Sequence, residues 1–396
     1  MKETKFKNTE IGKIPEDWEV RTINSFCSVK TGPFGSMLHA EDYVAKGTPI
    51  VTTEHFKNGI LPLVGKDIPQ VGIEDLKRIS SYTLTKDDIV FSRVGSVDIN
   101  ALVTVRQKGW LFSGRVLRVR PFKQTDSLYL HYGLLKHSVR SDIVSRAVGL
   151  TMASINTKIL GETELSLPPL NEQHRIASAL TSIDNLISSL GKLIEKKKNI
   201  KQGAMQQLLT GKTRLKGFNE PWVEKKLGEV CSVKRGVRVV KRNLTTDGLY
   251  PVYQNTNIPL GYSNQYNVEA NTPFVIIGGS AGQVGICRER YWAADDCAFF
   301  ACHDIYKEYL YYVLLLNQRN ILHNVRTGTI PRLDRTFLSG MLVYISSNIA
   351  EQQAIATILT KMDDEITALE AKKAKYEAIK QGMMQQLLTG KIRLIS

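Results

Sequence analysis

Cysteine is scarce in this chain of 396 residues: Cys27, Cys231, Cys287, Cys297 and Cys302 are the only five, and no two form a CxxC pair. An odd set at such spacings excludes a disulfide framework and a cysteine-based zinc site, and leaves the five as buried or half-buried free thiols. Long apolar runs are also missing; none approaches the ~20 residues that cross a bilayer. The N-terminal MKETKFKNTEIGK has no apolar core of a signal peptide. A cytoplasmic protein without a membrane span is expected. Seven scattered histidines offer no metal-ligating spacing.

Catalytic signatures fail one by one. Thr210 to Thr213, TGKT, has the ending of a phosphate-binding P-loop, but the glycine required five positions earlier is Gln206, and a second copy of the segment reads TGKI. The run GGSAGQVG does not satisfy GxGxxG. No Asn/Asp-Pro-Pro-aromatic motif of adenine methylation occurs, and acid-x-Lys triplets such as Glu195 to Lys197 fall on charged helix faces. The expectation is a binding protein with no catalytic residue and no metal.

Acidic residues are outnumbered: 53 Lys and Arg against 38 Asp and Glu give a net charge of +15. The excess is clustered. Lys192, Lys196, Lys197, Lys198, Lys201, Lys212, Arg214 and Lys216 form one group, and Lys234, Arg235, Arg238, Lys241 and Arg242 another. Such patches attract a polyanion, nucleic acid above all, or else serve as solvated faces.

What the chain does have is itself, twice. Glu172 to Leu215 and Glu351 to Leu394 align without a gap, and more than half of the paired positions are identical. This is an internal duplication. Upstream, Trp18 and Cys27 recur as Trp222 and Cys231, with Ser28, Val29, Lys30 and Gly32 matching Ser232, Val233, Lys234 and Gly236. The two offsets differ, so a constant frame encloses two blocks of unequal length and dissimilar sequence.

Each repeated segment carries a heptad seam: Ile176, Leu180, Ile183, Ile187, Leu190 and Ile194 in the first, Ile355, Leu359, Met362, Ile366 and Leu369 in the second. Pro168 and Pro169 suit the start of one helix, Asn348 caps the other, and Gly211 and Gly390 stand where each stops. Each rod would run about 55 Å at 1.5 Å per residue. Neither can be buried by one small domain, so the two are expected to pack on each other as an antiparallel coiled coil. Gly203 and Gly382, matched inside the rods, predict a close contact or a bend.

The blocks between read as short strands punctuated by Gly and Pro, followed by helical stretches at SLYLHYGLLKHSVRSDIV and YKEYLYYVLLLNQRNIL. The expected fold is α/β (α+β), with a pseudo-twofold internal repeat: globular domains at residues 1–170 and 216–347, long helices within 171–215 and 348–396. The glycine loops at Ser92 to Ser96 and Gly278 to Gly282 fit either close approach to phosphate or ordinary tight turns.

At this point the layout resembles a known family, the specificity subunits of type I restriction-modification systems. IGKIPEDWEV, PPLNEQHRIA, NIAEQQAIA and the pair QQLLTGKTRL and QQLLTGKIRL carry the resemblance, which covers the whole chain. It implies that each variable block is a target recognition domain reading one half of a split double-stranded DNA target. The helices would set the unread spacer and dock two modification (methyltransferase) subunits, with restriction subunits completing the complex. S-adenosylmethionine, ATP and magnesium would belong to those partners, and none to this chain. Candidate DNA contacts are Lys30, Ser36, Arg93 and Asn156 in the first domain, and Lys234, Arg235, Arg238, Asn255 and Arg326 in the second. A coiled-coil scaffold or adaptor that reads no DNA is the competing reading, and two separately diversified modules argue against it.

Overall fold

The computed structural model describes residues 4–33, 37–65, 68–149, 151–240, 242 and 244–395. It contains two compact units, residues 1–189 with 373–396, and residues 190–372. Each is built on a four-stranded antiparallel sheet. In the first unit, the spatial order is Cys27–Thr31, Val116–Pro121, Ile89–Ser92, Asn100–Leu102. In the second it is Cys231–Arg235, Cys297–Cys302, Pro273–Ile276, Val284–Ile286, the same topology.

A second small sheet lies beside each, so the strands between have two apolar faces to fill. Along Ile89–Ser92, Ile89 and Phe91 join the core beneath the helices, while Val90 joins the core of Val51, Phe56, Trp110 and Phe112. That is the period-two alternation of an extended chain buried on both sides. Pro273–Ile276 repeats it: Val275 packs with the helices, Phe274 and Ile276 with Tyr253 and Tyr291. The matched glycines of the frame have one cause. A Cβ on Gly32 would lie 2.1 Å from the Ser113 carbonyl oxygen, and one on Gly236 2.2 Å from that of Ala294. Only glycine lets those backbones approach.

The helical stretches each break in two: Ser127–Leu134 and His137–Ser145, then Lys307–Leu316 and Gln318–His323. Lys136 takes an extended conformation at the first break.

The long helices span Leu170–Leu208 and Ile349–Leu387, 39 residues each. Asn348 caps the second, its side-chain oxygen accepting from the backbone N–H groups of Ala350 and Glu351. Gly211 (φ +69°) and Gly390 (φ +68°) take the left-handed conformation just past each end. Within the first unit the pairing is antiparallel: Glu172 meets Arg393 and Asp184 meets Lys380. Within the second unit Lys201 meets Asp363 and Arg214 meets Glu351. Ile176 and Leu180 are buried with Met384, Leu387 and Leu388, and Ile355 and Leu359 with Met205, Leu208 and Leu209. Ile183, Leu190, Ile194 and Ile366 are buried too, and Ile187, Met362 and Leu369 half-buried. Gly203 and Gly382 do not mark a close contact, because an added Cβ at either meets nothing within 4 Å.

A buried carboxylate joins the frame of each unit. Glu172 accepts from the indole N–H of Trp18 (3.1 Å), from Nε and Nη2 of Arg393 (2.8 Å each) and from the backbone N–H of Leu394 (3.1 Å). Glu351 does the same with Trp222 (3.2 Å) and Arg214 (2.7 and 2.9 Å), and Ser346 supplies the remaining donor. The glutamines that follow are equally matched. Gln173 accepts from the Asp126 N–H and donates to the Pro168 carbonyl; Gln352 does so with Tyr306 and Ser346. The EQ of each repeat thus supplies polar partners that buried groups need.

Candidate nucleic-acid interface

In each unit the turn after the third strand of the sheet is tied to a later, exposed loop; the turn itself is largely exposed in the first unit and buried or half-buried in the second. In the first unit Val94 and Val148 both bridge to Ser154, and the Gly95 N–H donates to the Ala153 carbonyl (2.8 Å). In the second, Gly278 and Arg326 both bridge to Arg332, and the Gly279 N–H donates to the Pro331 carbonyl (3.2 Å). Gly95 (φ +82°) and Gly279 (φ +84°) turn the two hairpins identically. A Cβ on Gly278 would lie 2.3 Å from Asp296 Oδ1, so packing of the turn itself requires that glycine.

The predicted contacts distribute unevenly over turn and loop. Arg93 sits in the first hairpin, donating through Nη1 to the Gly114 carbonyl (2.9 Å), and its own carbonyl accepts from Ile155, next to Asn156. Asn156 is a helix cap, its Oδ1 accepting from the Ile159 N–H at 2.9 Å. Lys30 is set apart: Nζ donates to the carbonyl (3.1 Å) and hydroxyl (3.0 Å) of Ser81 and lies 4.1 Å above the Tyr82 ring. Burial, with Arg118 and Arg120 nearby, lowers its pKa. Ser36 and Lys241 lie outside the described residues.

In the second unit Arg235, Asn255 and Arg326 do not touch one another and are linked through other residues. Arg235 Nε donates to the Asp295 carbonyl (2.7 Å); Asp296 approaches Arg332 at 3.9 Å; Arg332 bridges Arg326; the Asn255 carbonyl accepts from Ser280 in the hairpin. Neighbours on an extended strand point to opposite faces, so Lys234 leaves on the other side from Arg235. Lys234 and Arg238 are exposed, and the Val237 carbonyl beside Arg238 accepts from the Trp292 indole. Arg332 and the acids Asp295 and Asp296 escaped sequence reasoning, because nothing local marks residues that meet only through the tertiary fold.

Burial raises the thiols of Cys27, Cys231, Cys297 and Cys302 above their ordinary range. His131, Nδ1 against Asn100 Oδ1 at 2.6 Å, is pushed down to about 4 by burial, with the Lys380 cation nearby. It is a neutral packing residue. Among the described residues no helix is long and apolar enough to cross a membrane.

Comparison with known proteins gives one consistent answer. The type I restriction modification DNA specificity domain matches twice, at residues 15–202 and 219–381. The type I restriction enzyme MjaVIII specificity subunit of Methanocaldococcus jannaschii is 28% identical over 437 residues, covering 99% of this chain and 97% of the relative. A second chain of that archaeon, named after MjaX, is 27% identical over 433 residues, covering 99% and 98%. The crystal structure of a type I restriction-modification S subunit from M. genitalium superposes with a TM-score of 0.68 at 19% identity, covering 93% of this chain and 96% of that one.

Proposed function

We propose a division of labour that proceeds from one premise: this chain belongs to the type I restriction modification DNA specificity domain family. It is the sequence-reading, non-catalytic component, and each unit reads one half of a bipartite duplex target. The observation that carries this is the double family match, one to each repeated block, each block with its own hairpin-and-loop surface on a different sequence. An adaptor that reads no DNA has no use for two such surfaces, and that reading falls.

The finer assignments follow the same logic. The long helices act as the spacer between half-sites and as the docking site for two modification subunits; restriction subunits complete the assembly. The methyl donor, ATP and magnesium belong to those partners, and the complex works in the cytoplasm. Arg235, Arg238 and Arg326, with the net charge of +15 behind them, support phosphate and base contacts in the second half-site; Arg93 has that role in the first.

The test is binding by the chain assembled with its modification subunits, measured on target and scrambled duplexes at several salt concentrations. Arg235→Ala and Arg238→Ala should each flatten the salt dependence by about one unit if they touch phosphate, or relax one base position by ~1–3 kcal/mol if they touch a base edge. An assembled complex with no preference for any sequence would refute the reading.

A further inference from the structure

Each unit carries, at one matched place, a large apolar side chain left bare. In the second unit the backbones of Arg326 and Arg332 pair (2.8 and 3.1 Å) and close a short loop on which Ile330 is 56% exposed. In the first, Val148 and Ser154 pair likewise (2.9 and 2.8 Å), and Met152 on that loop is 58% exposed. A lone exposed apolar residue means little. Here two loops of dissimilar sequence, GLTMA and TGTIP, place one at the same position, two residues before the bridging residue.

Both loops are anchored, so the side chains are held out and not loosely displayed. The bridges of Ser154 to Val94 and of Arg332 to Gly278 fix each loop to its hairpin; Arg93 lies in the first hairpin, whereas in the second unit the cations, Arg326 and Arg332, lie on the loop itself. In the second unit the apolar tip stands between Arg326 and Arg332, and exposed apolar side chains are what minor-groove proteins insert between base pairs to open a step.

We propose that Met152 and Ile330 are wedge residues, each inserting between two stacked base pairs of its own half-site. This rests on the assignment of each unit to a half-site. The insertion opens a step at a fixed distance from the arginine contacts, so it favours sequences whose steps unstack easily and contributes specificity without a hydrogen bond.

The experiment uses the chain assembled with its modification subunits and the target found by methylation mapping. Duplexes carry 2-aminopurine, an adenine analogue whose fluorescence rises on unstacking, in place of each adenine of either strand in or bordering both half-sites in turn, except the methylated adenine. The wild type should brighten one step in each half-site. Ile330→Ser should abolish the signal in one half-site only and weaken binding about tenfold or more, the scale of losing one base contact; Met152→Ser should do the same in the other. Ile330→Leu should retain both, and the salt slope should not change, since no charge is removed. The exposed positions leave thermal unfolding unchanged, which separates the effect from misfolding. Serine variants that keep the signal, or that lose affinity while the signal persists, overturn the wedge. A wild type that binds mapped and scrambled duplexes alike overturns the half-site assignment itself.

Discussion

Arg393→Ala removes the guanidinium that holds both oxygens of Glu172 and, at 2.9 and 2.6 Å, both oxygens of Asp17. The arginine side chain is 8% exposed and that of Glu172 only 2%, so water cannot replace it. A buried charge stripped of its partner costs about 3–5 kcal/mol. Trp18 and Leu394 still donate to the carboxylate, which places the loss toward the lower end. For a unit of this size each kcal/mol moves the midpoint by about 2–4 °C, so thermal unfolding of the first unit should fall by roughly 10 °C. Hydrogen exchange should quicken in Cys27–Thr31 and leave Cys231–Arg235 unchanged. The double variant Glu172→Gln with Arg393→Met should recover much of the loss, because no buried unpaired charge remains, Asp17 being half exposed to water. Arg214→Ala, at the matched position of the second unit, should cost less, since that side chain is 30% exposed. A shift under 2 °C for Arg393→Ala, or a double variant no better than the single, would show that the node does not act by pairing a buried charge.

Three further outcomes are expected. His131, held down to about 4 from an ordinary 6.5 by burial, contributes stability that is full above pH 6.5 and lost as pH falls through 4. Up to about 3 kcal/mol should vanish over that window, and His131→Asn should flatten the slope in an acid titration of unfolding. Gly32→Ala and Gly236→Ala each force a Cβ against a backbone carbonyl, and denaturant melts should show losses of about 2 kcal/mol or more. Four residues inserted after Ala368 and four after Lys198, which pairs with nearby Glu370, should lengthen both helices by about 6 Å. Methylation mapping should then report a longer spacer with both half-sites intact.

The duplication, the two rods and their caps were legible because each rests on local signals: the heptad spacing from Ile176 and Ile355, Asn348 before Glu351, Gly211 and Gly390 beyond the last turn. The EQ of each repeat was visible as a pattern, but its role was not. Glu172 takes its partners from Trp18 and Arg393, far away at opposite ends of the sequence, and no periodicity predicts such a meeting. A further matched pair went unread: Tyr132 donates to Asp184 and Tyr312 to Asp363, both at 2.8 Å, from a Y-L-x-Y motif that recurs in otherwise dissimilar blocks. Of the two roles open to the glycines inside the rods, close contact fails, because Gly203 and Gly382 face open space. Among the charged candidates, composition could not separate Lys30, whose nitrogen serves Ser81, from Arg326, which lies beside Arg332 on the exposed loop. That distinction depends on which strand face a side chain leaves, and on which distant loop covers it.

The central claim is that each unit reads its own half of the target. Replacing residues 225–345 with the matching block of a relative, in a chain co-expressed with its modification subunits, and mapping adenine methylation across a genome tests it most directly. One half-site should change to that of the donor while the other half-site keeps its sequence. A change in both half-sites, or in neither, would contradict it.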